Sequence, residues 1–202
     1  MWNSVMDPQP VINVIHDPAR AERYEPLMRQ LAGLQWCMWP AVHADTFATG
    51  CANAHKAVVR SFREAGLPFG CVAEDDLQWC GDPAGAWHHF LAGMLALPPD
   101  WDVYLAGISA GAVDRTSKSV ARRVTRHTGH HLYVVSRRCY DRVLACPPGQ
   151  HLDVWLGRQK VNAYTCWPLA ATQAPGFSAN RGRVVDYRAA FSRYALREGT
   201  CR

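Results

Sequence analysis

A chain of 202 residues that is 49% hydrophobic, with eight tryptophans and 19% charged residues, has enough apolar material for one domain with a real core, and its composition excludes a disordered or fibrous protein. The formal net charge of +5 is moderate and unevenly placed, so charge alone does not distinguish a phosphate-binding groove from a solvated basic face. No apolar run approaches the roughly 20 residues that span a bilayer. The start, Met1 to Pro8, lacks a basic segment followed by an apolar one, so the expected location is cytoplasmic.

In chain order, Pro10-Val11-Ile12-Asn13-Val14-Ile15-His16 is short, β-branched and closed by Asp17-Pro18, the pattern of a buried first strand leaving the sheet at a turn. Ala19 to Leu34 carries apolar residues at Tyr24, Leu27, Leu31 and Leu34, which predicts a helix with one buried stripe and Gly33 as its stop. Trp36 to Val42 reads as a second strand. Gly50 to Gly66 has helical spacing, with Thr49 as N-cap and Gly66 at the end; Cys51, His55, Val58 and Phe62 share its inner face. Pro68 to Ala73 is an apolar strand that runs directly into Glu74-Asp75-Asp76. Ala84 to Leu97 predicts a helix and Trp101 to Gly107 a strand, separated by the Pro98-Pro99-Asp100 turn.

Residues 108–128 are polar and basic and read as an exposed loop. His131 to Val135 resumes strand character, and Ser136 caps a helix running to Ala145. Strands alternating with helices imply an α/β sandwich, read as a single domain over 1–202 with the basic segment 181–202 peripheral. The eight cysteines, Cys37, Cys51, Cys71, Cys80, Cys139, Cys146, Cys166 and Cys201, form no C-x-x-C pair, so free thiols are expected. Cys51 and Cys71 read as small hydrophobes.

The acidic strand end carries the most information. Ligands of open α/β sheets bind at the carboxyl ends of strands, and three acids placed there repel one another unless a cation shares the site. Side chains alternate along an extended chain, so Glu74 and Asp76 point to one side as a two-carboxylate claw while Asp75 points away. Oxygen ligands favour Mg²⁺ or Mn²⁺, which complete their shells with water and substrate phosphate. Without a cation, the same triplet reads as one helix cap, one partner of an arginine and one solvated acid.

Five separated stretches resemble glycosyltransferase family 25, the group that includes lipopolysaccharide-biosynthesis glycosyltransferases and procollagen galactosyltransferases. Val11-Ile12-Asn13 with Arg20 and Arg23 resembles the family's first strand and following arginines, and Gly50-Cys51-Ala52 with His55 its Gly-Cys-x-x-Ser-His helix start. Cys71-Val72-Ala73-Glu74-Asp75-Asp76 resembles its strand ending in Glu-Asp-Asp, and Trp101-Asp102-Val103-Tyr104-Leu105-Ala106-Gly107 its Trp-Asp-x-x-Tyr-Leu-Gly strand. Gly129 to Ser136 is similar to Gly-Thr-x-x-Tyr-Val-Ile-Ser, and Asp153 follows at the family's distance. Ala54 and His130 depart from the family's serine and threonine.

The resemblance implies a GT-A type of fold, Rossmann-like with a mixed central sheet flanked by helices, a DxD-like acidic motif, and inverting transfer of a hexose from a nucleotide diphosphate sugar, plausibly UDP-linked. Its cofactor is then Mn²⁺ or Mg²⁺ on Glu74 and Asp76, and its catalytic base is Asp153. Asn13, Arg20, Arg23, Asp75, Gln173 and Ser178 are assigned to the donor side, and His55 to site architecture. His130, His131 and His151 are candidates for a further metal ligand, with no choice among them.

Two acceptors are consistent with this reading: a lipopolysaccharide-like glycan, or a hydroxymethylated base in DNA reached through the basic stretch from Arg115 to Arg142. A different class is a non-catalytic domain that binds nucleic acid or a sugar nucleotide. A nucleotidyltransferase is disfavoured because no Gly-rich phosphate loop follows the first strand.

Overall fold

Short apolar strands and helices with one buried stripe each build the architecture. The structure, a computed structural model, describes residues 9–178 and 182–195. In chain order, β1 (Ile12–His16) is followed by α1 (Ala21–Leu31), β2 (Trp36–Pro40), α2 (Phe47–Glu64), β3 (Phe69–Glu74), β4 (Leu77–Trp79) and α3 (Pro83–Leu95). Then come β5 (Val103–Leu105), β6 (Ala110–Val113), β7 (Ala121–Thr128) and β8 (Leu132–Ser136), a 3-10 turn at Arg137–Cys139 entering α4 (Tyr140–Leu144), and α5 (Leu152–Gly157). β9 (Ala163–Cys166), β10 (Ala171–Gln173), β11 (Gly176–Ser178), β12 (Arg183–Val185) and α6 (Arg188–Ala195) complete the described chain.

Eight strands form one mixed sheet in the order β2-β1-β3-β8-β5-β9-β7-β6. β1 pairs in parallel with β2 and β3, and β5 with β9, while β8 runs antiparallel between β3 and β5. Because side chains alternate across the pleat, Leu132 and Val134 of β8 face one side and Tyr133 and Val135 the other. The first side is covered by α1 and α3, through Leu27, Leu31, Trp87, Phe90 and Met94. The second is covered by α2, α4 and α5, through Val58, Phe62, Val143, Leu152 and Leu156. A column of rings from Trp79 through Trp87 and Phe90 to Tyr104 fills the first core, its last pair stacked at 4.7 Å; each such pair adds about 0.5–1.5 kcal/mol beyond its area burial. The mixed sheet flanked by helices is the fold class that the sequence implied.

Three expectations need correction. The stretch 108–128 is not an exposed loop: β6 and β7 form an antiparallel pair that extends the main sheet beyond β9. Ala121, Val124 and His127 of β7 are buried at a spacing of three rather than two, Ala121 and Val124 in opposite cores, and Arg126, in a left-handed conformation (φ 53°), lies where the pairing with β6 shifts register, so no two-residue alternation marks the strand. The N-cap of α2 is Thr46, not Thr49: the Thr46 hydroxyl accepts from the Thr49 amide at 3.2 Å, so the helix starts a turn earlier. Free thiols hold for Cys37, Cys51, Cys71, Cys139, Cys146 and Cys166, but Cys80 is disulfide-bonded; Cys201 lies outside the described residues. Of the basic C-terminal segment, α6 packs on the body through Phe191, whose ring is buried edge-on against His131 at 5.2 Å, while β12 is largely exposed.

Candidate functional site

The cleft lies where the sheet topology brings chain ends together. β1 and β3 finish at the same edge, and because β8 is antiparallel to β3, the residues just before β8 arrive there too. Opposite them stand the start of α2, the start of α5, and the segment from Gln173 to Ser178. The resulting cleft has a volume of about 520 Å³ and is lined by Arg20, Arg23, Cys51, His55, Glu74, Asp75, Asp76, Ser109, His130, His151, Asp153, Gln173 and Ser178, among others. This edge is where carboxyl ends of strands offer ligands a crevice.

The three acids diverge. Glu74, at the end of β3, is matched to His55: Oε1 lies 3.1 Å from Nε2, and His55 Nδ1 lies 3.1 Å from the Tyr133 hydroxyl. Asp75 is turned inward, bonded to His16 Nδ1 at 3.1 Å, to the Asp17 amide at 3.3 Å and to Arg23 at 2.5 Å. Its internal partners make it the anchor that holds Arg23 at the cleft. Asp76 accepts from Arg23 at 3.4 Å and from Gln173 Nε2 at 3.5 Å through Oδ2, whereas its Oδ1 is buried with no hydrogen-bond partner among the described residues. An orphaned carboxylate oxygen is costly unless a further partner satisfies it.

Electrostatics separate the two outer acids. Burial pushes Asp76 up, the Glu74 charge pushes it further, and Arg23 only partly opposes them, so its carboxyl is pushed up to about 7. For Glu74 burial also acts upward, but the hydrogen bond and charge of His55, with His131 and Arg23 behind, hold it below its ordinary value. Burial would lower Arg23, yet Asp76 and Asp75 outweigh it and raise its pKa. A divalent cation fits this pair: it would satisfy Asp76 Oδ1 and relieve the repulsion between the two carboxylates.

Of the other expected residues, Arg20 and Arg23 both donate to the Phe177 carbonyl, at 2.7 and 3.1 Å, and Arg20 lies over the Phe177 ring. Arg20 has no carboxylate partner among the described residues. Asp153 sits in the first turn of α5, its Oδ2 accepting from the Gly129 amide at 3.0 Å and its Oδ1 from Val154 at 2.7 Å. Asn13 is not brought to the cleft: its amide is used up inside the sheet, donating to Val11 and Cys71 carbonyls and accepting from Cys37 and the Trp39 indole. His130 and His151 line the cleft, while His131 turns to the Ala171 carbonyl at 3.1 Å.

Sequence reasoning missed His16, whose place at a strand end gives no sign of its partner, and misread Cys51, which lines the cleft. The basic stretch is partly spent locally. Arg138 and Arg142 pair with Asp102, Arg137 donates to the carbonyls of Gly66 and Leu67, and Arg122 stacks on Trp167.

Buried imidazoles near the cleft make the fold acid-sensitive. Burial lowers His127 and His131 to about 4 and His130 well below its ordinary value. Their folded values lie below the unfolded one, so the stability they contribute is complete above pH 6.5 and is lost as pH falls toward 4. Thermal melts at successive pH values between 7 and 4 should show a steep fall in Tm over that window; a flat profile would contradict it.

No protein-family model matches the chain, and neither does any curated protein. Solved structures similar in shape include a mannose-1-phosphate geranyltransferase from Thermus thermophilus, at 12% identity and TM-score 0.44 over 94% of this chain and 80% of that one. A glycosyltransferase involved in the glycosylation of the major capsid of PBCV-1 matches at 11% identity and TM-score 0.33 over 75% of this chain and 68% of that one. The nucleoside-diphosphate-sugar pyrophosphorylase from Vibrio cholerae matches at 13% identity and TM-score 0.39, covering 94% and 82%. Likenesses at these values carry no argument about substrate or chemistry. No described helix is long and apolar enough to cross a membrane.

Proposed function

We propose that this chain is a divalent-cation-dependent, inverting glycosyltransferase that moves a hexose from a nucleotide diphosphate sugar, UDP-linked, to a hydroxyl of a glycan acceptor. The observation that carries the reading is the acidic end of β3, where Glu74 and Asp76 open on the cleft and Asp76 Oδ1 is buried without a partner among the described residues. Glu74 and Asp76 would hold Mn²⁺ or Mg²⁺, which when bound offsets the charge that develops on a diphosphate leaving group.

The chain's own residues supply the rest. Arg20, free of carboxylate partners among the described residues, and Arg23, held by Asp75, place positive charge beside the acids, where a diphosphate would lie. Gln173 and Ser178 line the same wall as further hydrogen-bonding groups for the donor. Asp153, fixed by two backbone amides across the cleft, is the group to take the proton of the acceptor hydroxyl. The resemblance to glycosyltransferase family 25 supports the same assignment.

Incubating the protein with Mn²⁺ and a panel of sugar nucleotides tests this directly. Slow hydrolysis or saturable binding of one donor, lost on chelation, is the expected result. Indifference to every donor, or turnover that survives full chelation, overturns the reading.

A further inference from the structure

Besides its oxygen-only pair, the cleft holds a mixed ligand set. Cys51 and His55 stand four residues apart on α2, so their side chains share one helix face, and Glu74 at the end of β3 packs against that face. Cys51 Sγ, a His55 ring nitrogen and a Glu74 carboxylate oxygen all lie within 4.8 Å of one another. His55 is already oriented. Its Nδ1 lies 3.1 Å from the Tyr133 hydroxyl, and its Nε2 3.1 Å from Glu74 Oε1. Without a metal, Nε2–H donates to Glu74; a cation here displaces that proton, and with Nδ1–H donated to the Tyr133 oxygen the Nε2 lone pair is directed at the ion, as in a ligating histidine held by an outer partner.

We propose that Cys51 Sγ, His55 Nε2 and Glu74 form a binding site for a divalent cation of the zinc class, with water completing a tetrahedral shell. Thiolate and imidazole select zinc-like ions over magnesium and manganese, which prefer oxygen alone. Zinc bonds of about 2.0–2.3 Å put tetrahedral ligand atoms about 3.4–3.8 Å apart, so the present spacing needs to close by about an ångström. Cys51 is half-buried and Glu74 is 27% exposed, so both have room to turn, while His55 at 2% is fixed. Glu74 cannot serve this ion and an oxygen-ligated one in the same geometry. A zinc-class ion therefore competes with the Glu74–Asp76 pair for that carboxylate.

Cobalt is the probe, because its thiolate complex absorbs in the near ultraviolet. Metal-free protein titrated with Co²⁺ should develop a thiolate-to-cobalt band that saturates at one equivalent and is bleached by Zn²⁺. Cys51→Ser should lose the band, Cys37→Ser, at an exposed free thiol on β2, should keep it, and Tyr133→Phe should weaken binding about 10–100-fold. On the unaltered protein, Zn²⁺ should also slow alkylation of Cys51 followed by mass spectrometry, which needs no variant to fold. Absence of the band, its survival in Cys51→Ser, or an alkylation rate at Cys51 unchanged by Zn²⁺ overturns the site. None of these readouts needs turnover, so they stand or fall apart from the sugar-nucleotide reading.

Discussion

Asp76→Asn is expected to lower donor turnover by about 10²–10³-fold, the scale of losing one preorganised electrostatic contact to a developing charge, while leaving the fold intact. The substitution keeps the size of the side chain and one oxygen for Gln173, and the backbone bond from the Ala174 amide to the Asp76 carbonyl at 2.7 Å is untouched. What it removes is charge at the buried Oδ1 position.

The sign of the stability change follows from the raised pKa. Between its ordinary 3.8 and about 7, the folded protein holds a proton on Asp76 that the unfolded chain does not. The stability this contributes is complete below about pH 4 and is lost as pH rises through 7, so at pH 8 the variant should melt higher than the parent and the gap should close on acidification. Mn²⁺ reverses the order. At one hundred times its dissociation constant a ligand stabilises the form that binds it by about 2.7 kcal/mol, so Mn²⁺ should raise the Tm of the parent and not of the variant. Equal shifts in both, or retained turnover, would remove Asp76 from the cation site.

Much of this arrangement was legible in the residues themselves. β1, β3 and β8 announce themselves because they are short, apolar and buried on both faces, and the acid triplet follows β3 without a break, so the strand end and its carboxylates come from one local pattern. What stayed hidden is non-local. Nothing near Asp75 in the sequence says that His16 and Arg23, 59 and 52 positions away, will claim it, and Asn13 looked like a donor contact because its four partners lie on β2 and β3 or just before β1. β6 and β7 were obscured differently: Arg122 and Arg123, side by side on opposite faces of β7, and the left-handed Arg126 erased the alternation that identifies a strand.

Asp153→Asn is expected to lower transfer to an acceptor hydroxyl by about 10²–10⁴-fold, the usual contribution of a positioned base, with donor binding preserved. The carboxylate is held in place by the backbone around it. Gly129 adopts a positive φ of 98°, and a Cβ there would stand 2.9 Å from the Ser109 amide, so only a glycine presents its N–H to Asp153 Oδ2 in this way. The Val154 amide fixes the other oxygen from the first turn of α5. Each oxygen keeps a further lone pair, so the two amides orient the group without exhausting it.

A purely structural aspartate at a helix start would look similar, and the two roles separate in what the variant loses. Asparagine keeps one acceptor and sets an N–H₂ against the other amide, which costs stability of about 1 kcal/mol whichever role is correct. Loss of the base alone also lowers kcat for transfer, leaves the donor's KM and its Mn²⁺-dependent binding unchanged, and is not repaired by lowering temperature to restore the fold. Were kcat to survive in a variant that melts lower, Asp153 would be an anchor for Gly129 and α5, and the base would have to be sought elsewhere along the cleft, with His130 and His151 among the ionisable side chains lining it.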